Sequence, residues 1–397
     1  MDAIKKIEQA DGGLLYMVER DPLFAKASCL VTHPGQLTDM ESVCWLNTNA
    51  LFSYRVSERE AMLMWQGRAR LVNQRHPTAD RLMREVQRTP QKKRIHILAL
   101  GDVGATLLLG LKLLGGDAVS TIGIYDARDG FAARYEQEMN QITEPFCYDA
   151  LPIVEAVTKD TLFNCDMFLF CASAGVPAVG AAVEDVRMAQ LAGNLRILKE
   201  YARMARDARF AGIFGVVSDP VDILCRYAFL ESNRTEAGQY DHLGLLAEQI
   251  RGYGLGVMNA RAAYHAGKEA RFSSFLSEGR AYGPHGQGLV IANSIERYDD
   301  ALSKELTSKT IEANLAVRAL GFKPYIAPAI SSGALSVLAT LRGEWHYSAV
   351  ALGGVYFGCR NRQTPYGLET EALPLEKSLY KRLKETEYML KRQGEGL

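Results

Sequence analysis

The chain reads as an α/β protein: a doubly wound parallel sheet, an α+β domain after it, and a small α+β module in front. Three observations carry this reading. First, the apolar run Ile95-His96-Ile97-Leu98-Ala99-Leu100 enters the turn Gly101-Asp102-Val103-Gly104-Ala105. A helical apolar stretch over 106–114 follows, then a second run over 119–125 that ends on Asp126. Second, residues 166–172 and 212–217 are continuous apolar runs, as expected of strands buried on both faces of a parallel sheet. Third, between them Leu195, Leu198, Tyr201, Ala202 and Ala205 recur at helical spacing, so strands and helices alternate as in a doubly wound sheet. The expected divisions are an N-terminal module over 1–90, a doubly wound domain over 91–230 and an α+β domain over 231–397.

Residues 1–90 give short β-like runs at 14–18, 28–32 and 42–45, and an alternating segment at 51–56 that predicts a half-buried strand. Ser57-Glu58-Arg59-Glu60 has capping-box form and predicts an amphipathic helix running towards Gln74. His76-Pro77 interrupts it, and Thr78 caps a second helix towards Gln87. A polar linker, 89–94, precedes the sheet. After about residue 230 helix and extended segments mix, ending in a charged helix from about 375 to 391. The module suits oligomer contacts or site covering better than chemistry.

The 397 residues suffice for two or three cores. Lys+Arg 46 against Asp+Glu 46 leaves no net charge, which removes the electrostatic case for nucleic acid or an anionic membrane. The seven cysteines (29, 44, 147, 165, 171, 225 and 359) include no C-x-x-C pair, so reduced thiols are expected and a metal site is not. No apolar stretch reaches the length of a membrane span, and a cytoplasmic protein is expected.

Strand, glycine turn, helix, strand and terminal acid is the order of a dinucleotide-binding βαβ unit, so the sheet is read as Rossmann-type. The turn lets backbone N–H groups of Gly101, Asp102, Val103 and Gly104 approach a pyrophosphate at the helix start. Asp126, 22 residues past Gly104, has the spacing of the acid that accepts hydrogen bonds from the adenosine ribose. Its charge would repel a 2′-phosphate, so NAD is the expected cofactor. The fingerprint's first glycine is Ala99, a change compatible with a turn held at negative φ. Arg128 follows two residues after Asp126 and reads as a solvated arginine, with adenine stacking or 2′-phosphate contact as the alternative.

Five blocks then fall in one order: the glycine turn; Ala172-Ser173-Ala174-Gly175-Val176-Pro177; Val217-Ser218-Asp219-Pro220-Val221-Asp222-Ile223-Leu224; Gly252-Tyr253-Gly254-Leu255-Gly256-Val257-Met258-Asn259-Ala260-Arg261; and Gly283-Pro284-His285-Gly286-Gln287-Gly288-Leu289-Val290. In this the chain resembles the lactate/malate dehydrogenase family, over about 95–360. The resemblance implies hydride transfer between NAD and a 2-hydroxy or 2-oxo acid. It also implies cofactor contacts from Ala172, Gly175 and Ser218, and a homo-oligomer, dimer or tetramer. His285 stands where the family keeps its acid/base, and an imidazole titrating near neutrality suits that work. Arg261 stands on the arginine that clamps the substrate carboxylate, which the planar guanidinium fork fits.

Several positions depart from the family. The histidine's acidic partner is replaced by Met258, and the usual Asn of the Ser-Asn-Pro-Val-Asp block is Asp219. One carboxylate is lost and another gained around one site, so Asp219 is expected to orient His285 from the opposite side. The loop after Pro177, Ala178-Val179-Gly180-Ala181-Ala182-Val183-Glu184-Asp185, lacks the family's two arginines, and the next basic residue is Arg187. An acid with a non-standard side chain is therefore expected as substrate. Ser331-Ser332-Gly333 falls on a helix that walls the family's pocket, with N-capping the plainer use of its hydroxyls. The alternative reading is a catalytically degenerate NAD-binding protein with a sensing or assembly role. The related NAD-dependent glycosidases rank below both, since no Cys/His metal pair accompanies the site segments.

Overall fold

A computed structural model describes residues 4–52, 54–84, 91–175 and 186–395, with backbone only for 186–190. The N-terminal part contains β1 (Lys6–Glu8), β2 (Leu14–Val18), β3 (Ser28–Leu30), α1 (Glu58–Trp65), β4 (Ala69–Asn73) and α2 (Ala79–Arg84). Its strands form a sheet in the order β1-β2-β4-β3, with only the β2/β4 pair parallel. The capping box is formed as expected, Ser57 and Glu60 bonding reciprocally. The helix is shorter than its pattern suggested. Gly67, at φ +68°, turns the chain, and 69–73 pairs in register with β2 as a wholly buried strand. Tertiary burial overrides helical periodicity there. The run at 42–45 is likewise a 3₁₀ turn that sinks Trp45 into the core, and the described residues of 51–56 form no strand.

Next come β5 (Lys93–Leu98), α3 (Asp102–Leu114), β6 (Val119–Tyr125), α4 (Phe131–Asn140), β7 (Ile153–Ala156), β8 (Met167–Phe170), α5 (Val186–Asp207), β9 (Ile213–Val216), α6 (Val221–Ser232) and β10 (Ile250–Gly252). These strands pair in parallel as β10-β9-β8-β5-β6-β7. Numbered from β5, that is the order 3-2-1-4-5-6 of a dinucleotide-binding doubly wound sheet. Every residue of β8 is buried, because separate apolar clusters cover the two faces: Phe168, Phe170 and Phe214 on one, Ile95, Ile97 and Leu107 on the other. His96 is a polar exception, fully buried, and its Nδ1 lies 2.8 Å from the Leu162 carbonyl. Its ring occupies the space a side chain at Gly123 would need.

The rest comprises α7 (Leu255–Lys268), α8 (Phe275–Glu278), β11 (Arg280–Tyr282), β12 (Val290–Ala292), α9 (Asp300–Ala319), α10 (Leu335–Arg342), β13 (His346–Leu352), β14 (Val355–Thr364), β15 (Gly367–Thr370) and α11 (Lys377–Gly394). β11 and β12 form a hairpin, while β13-β14-β15 is an antiparallel meander joined to β10, so one sheet has nine strands. The fold is the expected doubly wound sheet with an α+β part following it. The N-terminal sheet shares a core with the end of the chain: Tyr16, Trp45 and Leu71 cluster with Val350, Phe357, Leu379 and Leu383. Polar ties reinforce the join. Lys26 Nζ donates to Glu41 Oε2 at 2.5 Å and to the Ala351 carbonyl at 2.9 Å, and Glu248 accepts the N–H groups of Ala27 and Ser28. Burial pushes the Glu248 carboxyl up to about 7.

Candidate active site at the strand ends

The singled-out segments converge at the carboxyl ends of the parallel strands, where α/β sheets of this order hold ligands. The turn after β5 is shaped by its backbone. Ala99 has φ +73°, in the left-handed region, so the expectation of negative φ is corrected. Its N–H is held by the Tyr125 carbonyl at 2.8 Å, which fixes the turn although a Cβ disfavours that conformation. A Cβ on Gly104 would lie 2.0 Å from the Ala99 carbonyl oxygen, whereas one on Gly101 would meet nothing within 4 Å. Gly104 thus lets α3 settle onto the turn, and Gly101 leaves the helix start open. That cradle fits a pyrophosphate. In the first turn of α3, Asp102 is exposed and pairs with Lys323 at 3.1 Å, while Val103 is half-buried.

At the end of β6, Asp126 is engaged on both oxygens. Oδ2 accepts from the Leu100 N–H at 2.7 Å and from Arg128 Nη2 at 2.7 Å; Oδ1 accepts from the Arg128 N–H at 3.0 Å and Nε at 2.8 Å. These bonds outweigh desolvation and hold the carboxyl down at about 2.

The turns after β8 and β9 are tied together by side chains. Ser218 Oγ donates to the Ala172 carbonyl at 2.7 Å. Fully buried Asn194 on α5 accepts the Ala174 N–H at 2.8 Å and donates to the Asp219 carbonyl at 2.7 Å. Gly175 has φ +123°, which favours glycine. The loop whose missing arginines weighed on the substrate expectation, 176–185, lies outside the described residues, and so does the side chain of Arg187.

Asp219 Oδ1 lies 3.2 Å from His285 Nδ1, with the histidine side chain 9% and the aspartate 29% exposed. Asp222, at the start of α6, accepts the His285 backbone N–H at 3.4 Å. Gly254 makes room for the histidine: a Cβ there would stand 2.9 Å from His285 Cβ. α7 starts beside it, and its N-terminus is capped by another element, since Ser332 Oγ accepts the Val257 N–H and donates to the Gly254 carbonyl, both at 2.8 Å. Arg261 lies six residues into that helix, about 9 Å along its axis, with Nη1 3.5 Å from Met258 Sδ. Met258 is fully buried. Asp219 and His285 are therefore brought together, with Arg261 carried on a helix that begins at the same place.

Asn194 and Asp222 were missed as site builders. A signal existed for the first: Asn194 lies on the buried stripe with Leu198, Tyr201 and Ala205, where a polar residue needs a partner. Among the described residues no group of three or more His, Cys, Asp or Glu is placed to hold a metal ion, and no helix is long and apolar enough to cross a membrane.

No protein-family model matches the chain. Among curated proteins, L-lactate dehydrogenase from Mesomycoplasma hyopneumoniae is 26% identical over 203 residues, 51% of this chain and 58% of that enzyme. The match thus spans less than two thirds of that relative. L-lactate dehydrogenase from Staphylococcus epidermidis is 24% identical over 288 residues, 66% of this chain and 84% of that enzyme. Among solved structures, a lactate dehydrogenase from a deep-sea metagenome library superposes with TM-score 0.60 at 16% identity, covering 76% of this chain and 98% of that one. The malate dehydrogenase from Aeropyrum pernix gives 0.59 at 17%, covering 76% and 98%. The chain has the fold of the lactate and malate dehydrogenases, and its similarity to that family at low identity is that of a divergent relative.

Proposed function

We propose that the chain is an NAD-dependent oxidoreductase acting on a 2-hydroxy/2-oxo acid whose side chain differs from those of lactate and malate. The observation that carries this reading is the 3.2 Å approach of Asp219 to His285 at the strand ends. The carboxylate accepts Nδ1–H, which leaves Nε2 to exchange a proton with the substrate hydroxyl and stabilises the imidazolium when that proton arrives. Asp222 holds the histidine's backbone, and Arg261 receives the substrate carboxylate in its fork. A dinucleotide held at the β5–α3 turn would supply the hydride acceptor or donor for C2 of the acid. Gly101, Asp102, Val103, Gly104, Asp126, Ala172, Gly175 and Ser218 line the dinucleotide groove in this reading, which also includes a homo-oligomer with residues 1–90 as a contact or covering surface.

The second reading, a non-catalytic dinucleotide-binding protein, draws on fully buried Met258, which replaces the histidine's acidic partner in the resemblance. A titration with NAD, followed by a panel of 2-oxo acids monitored for NADH oxidation, separates the two. Turnover of at least one acid is expected, and Asp219→Asn is expected to lower it about 100-fold or more, because the amide favours the wrong histidine tautomer. Activity of Asp219→Asn equal to the parent sinks the orienting role. Binding without turnover on any acid moves the conclusion to the second reading.

A further inference from the structure

The acid at the end of the second strand of a dinucleotide fold selects NAD by offering oxygen lone pairs to the adenosine ribose hydroxyls. Asp126 stands at that position, yet its oxygens are taken. A carboxylate presents about four lone-pair sites. Here four donors fill them: the backbone N–H groups of Leu100 and Arg128, and Nε and Nη2 of the Arg128 side chain. The Asp126 side chain is 4% exposed, that of Arg128 52%. A ligand arriving at the end of β6 therefore meets a guanidinium.

Arg128 is also preorganised. Its guanidinium carbon sits 3.6 Å from the centre of the Phe131 ring, at the first residue of α4, so one face lies on an aromatic ring while one edge is bonded to a carboxylate. Asp126 engages two of the five guanidinium N–H donors, and the fork geometry matches a phosphate. The pair cancels the charge on which rejection of a 2′-phosphate depends.

We propose that Arg128 is the cofactor-selecting residue of this chain and that the adenosine ribose subsite accepts a 2′-phosphate, so that NADP(H) is bound in preference to NAD(H). This keeps the reaction and the site of the reading above, replaces its cofactor NAD by NADP, and rests on the β5–α3 turn holding a dinucleotide. The added phosphate bonds to the outward donors of Arg128, while Asp126 serves to position the guanidinium.

The test uses the full chain and two nucleotides without a nicotinamide, adenosine 2′,5′-bisphosphate and 5′-AMP, with affinities measured by calorimetry at low and moderate salt. The bisphosphate is expected to bind about tenfold more tightly than 5′-AMP, with the margin shrinking as salt rises. Arg128→Ala is expected to remove that margin without weakening 5′-AMP, and Arg128→Lys to restore part of it. Tighter binding of 5′-AMP by the parent, or an equal loss of both ligands in Arg128→Ala, overturns the proposal and leaves the dinucleotide reading intact. Failure of both nucleotides to bind the parent overturns the dinucleotide reading and this proposal with it.

Discussion

The two halves of the strand-end groove are built from different materials. On the β5–β6 side, the turn is shaped by backbone: a left-handed Ala99 and a glycine against which α3 closes. On the β8–β10 side, the turns are shaped by side chains, with Asn194 and Ser218 bridging two loops, Ser332 capping α7, and Asp219 and Asp222 holding His285. A backbone-built site tolerates few residues at a few fixed spacings. A side-chain-built site can exchange its parts.

The contrast breaks first at Gly104. Gly104→Ala drives a methyl into the Ala99 carbonyl at 2.0 Å, and a loss of about 3 kcal/mol or more of stability is expected in denaturant titration, together with nucleotide binding. Asn194→Ala comes next. It removes two hydrogen bonds that fully buried Asn194 makes to the Ala174 N–H and the Asp219 carbonyl, at about 1–3 kcal/mol for the pair. Turnover should fall more than nucleotide affinity, and the reverse pattern would show that the bridge serves the cofactor side. Ala99→Gly works in the opposite direction: removing a Cβ at φ +73° should stabilise the fold by about 1 kcal/mol, read as a rise in melting temperature of about 1 °C.

A further effect lies outside the groove. The Glu248 carboxyl is raised from 4.5 to about 7 in the fold, so its protonated form is favoured on folding. The stability linked to it is full below about pH 4.5 and is lost as pH rises through about 7. Glu248→Gln should flatten the decline of melting temperature between pH 5 and 8; an unchanged slope would remove this carboxyl as its source.

The sheet was readable because its evidence is periodic. Continuous apolar runs at 166–172 and 212–217 have few other destinations than strands buried on both faces, and both form strands. The glycine turn and Asp126 were readable by spacing. What spacing does not encode is who fills a hydrogen-bonding site: the closure of Arg128 on Asp126 depends on rotamers and on Phe131. The sign of φ at Ala99 is also not written in the sequence, since a neighbouring strand imposes it through the Tyr125 carbonyl. In the N-terminal part local pattern misled, because β4 joins a parallel pairing with β2 across α1, and a helical pattern gives no hint of a distant partner. The contact of Asp219 with His285 was expected from the family resemblance, in which one acid is lost and another gained, and the two residues lie within reach.

The core shared by the first and last parts of the chain imposes an order in time on the ribosome. Tyr16, Trp45 and Leu71 wait for Val350, Phe357, Leu379 and Leu383, which are synthesised roughly 300 residues later, a delay of about 15–60 s at ordinary elongation rates. Through that interval an apolar face is made and uncovered, while the doubly wound sheet between the two ends has all its parallel strands in hand. Nascent chains halted before α11 are the ones that should recruit chaperones.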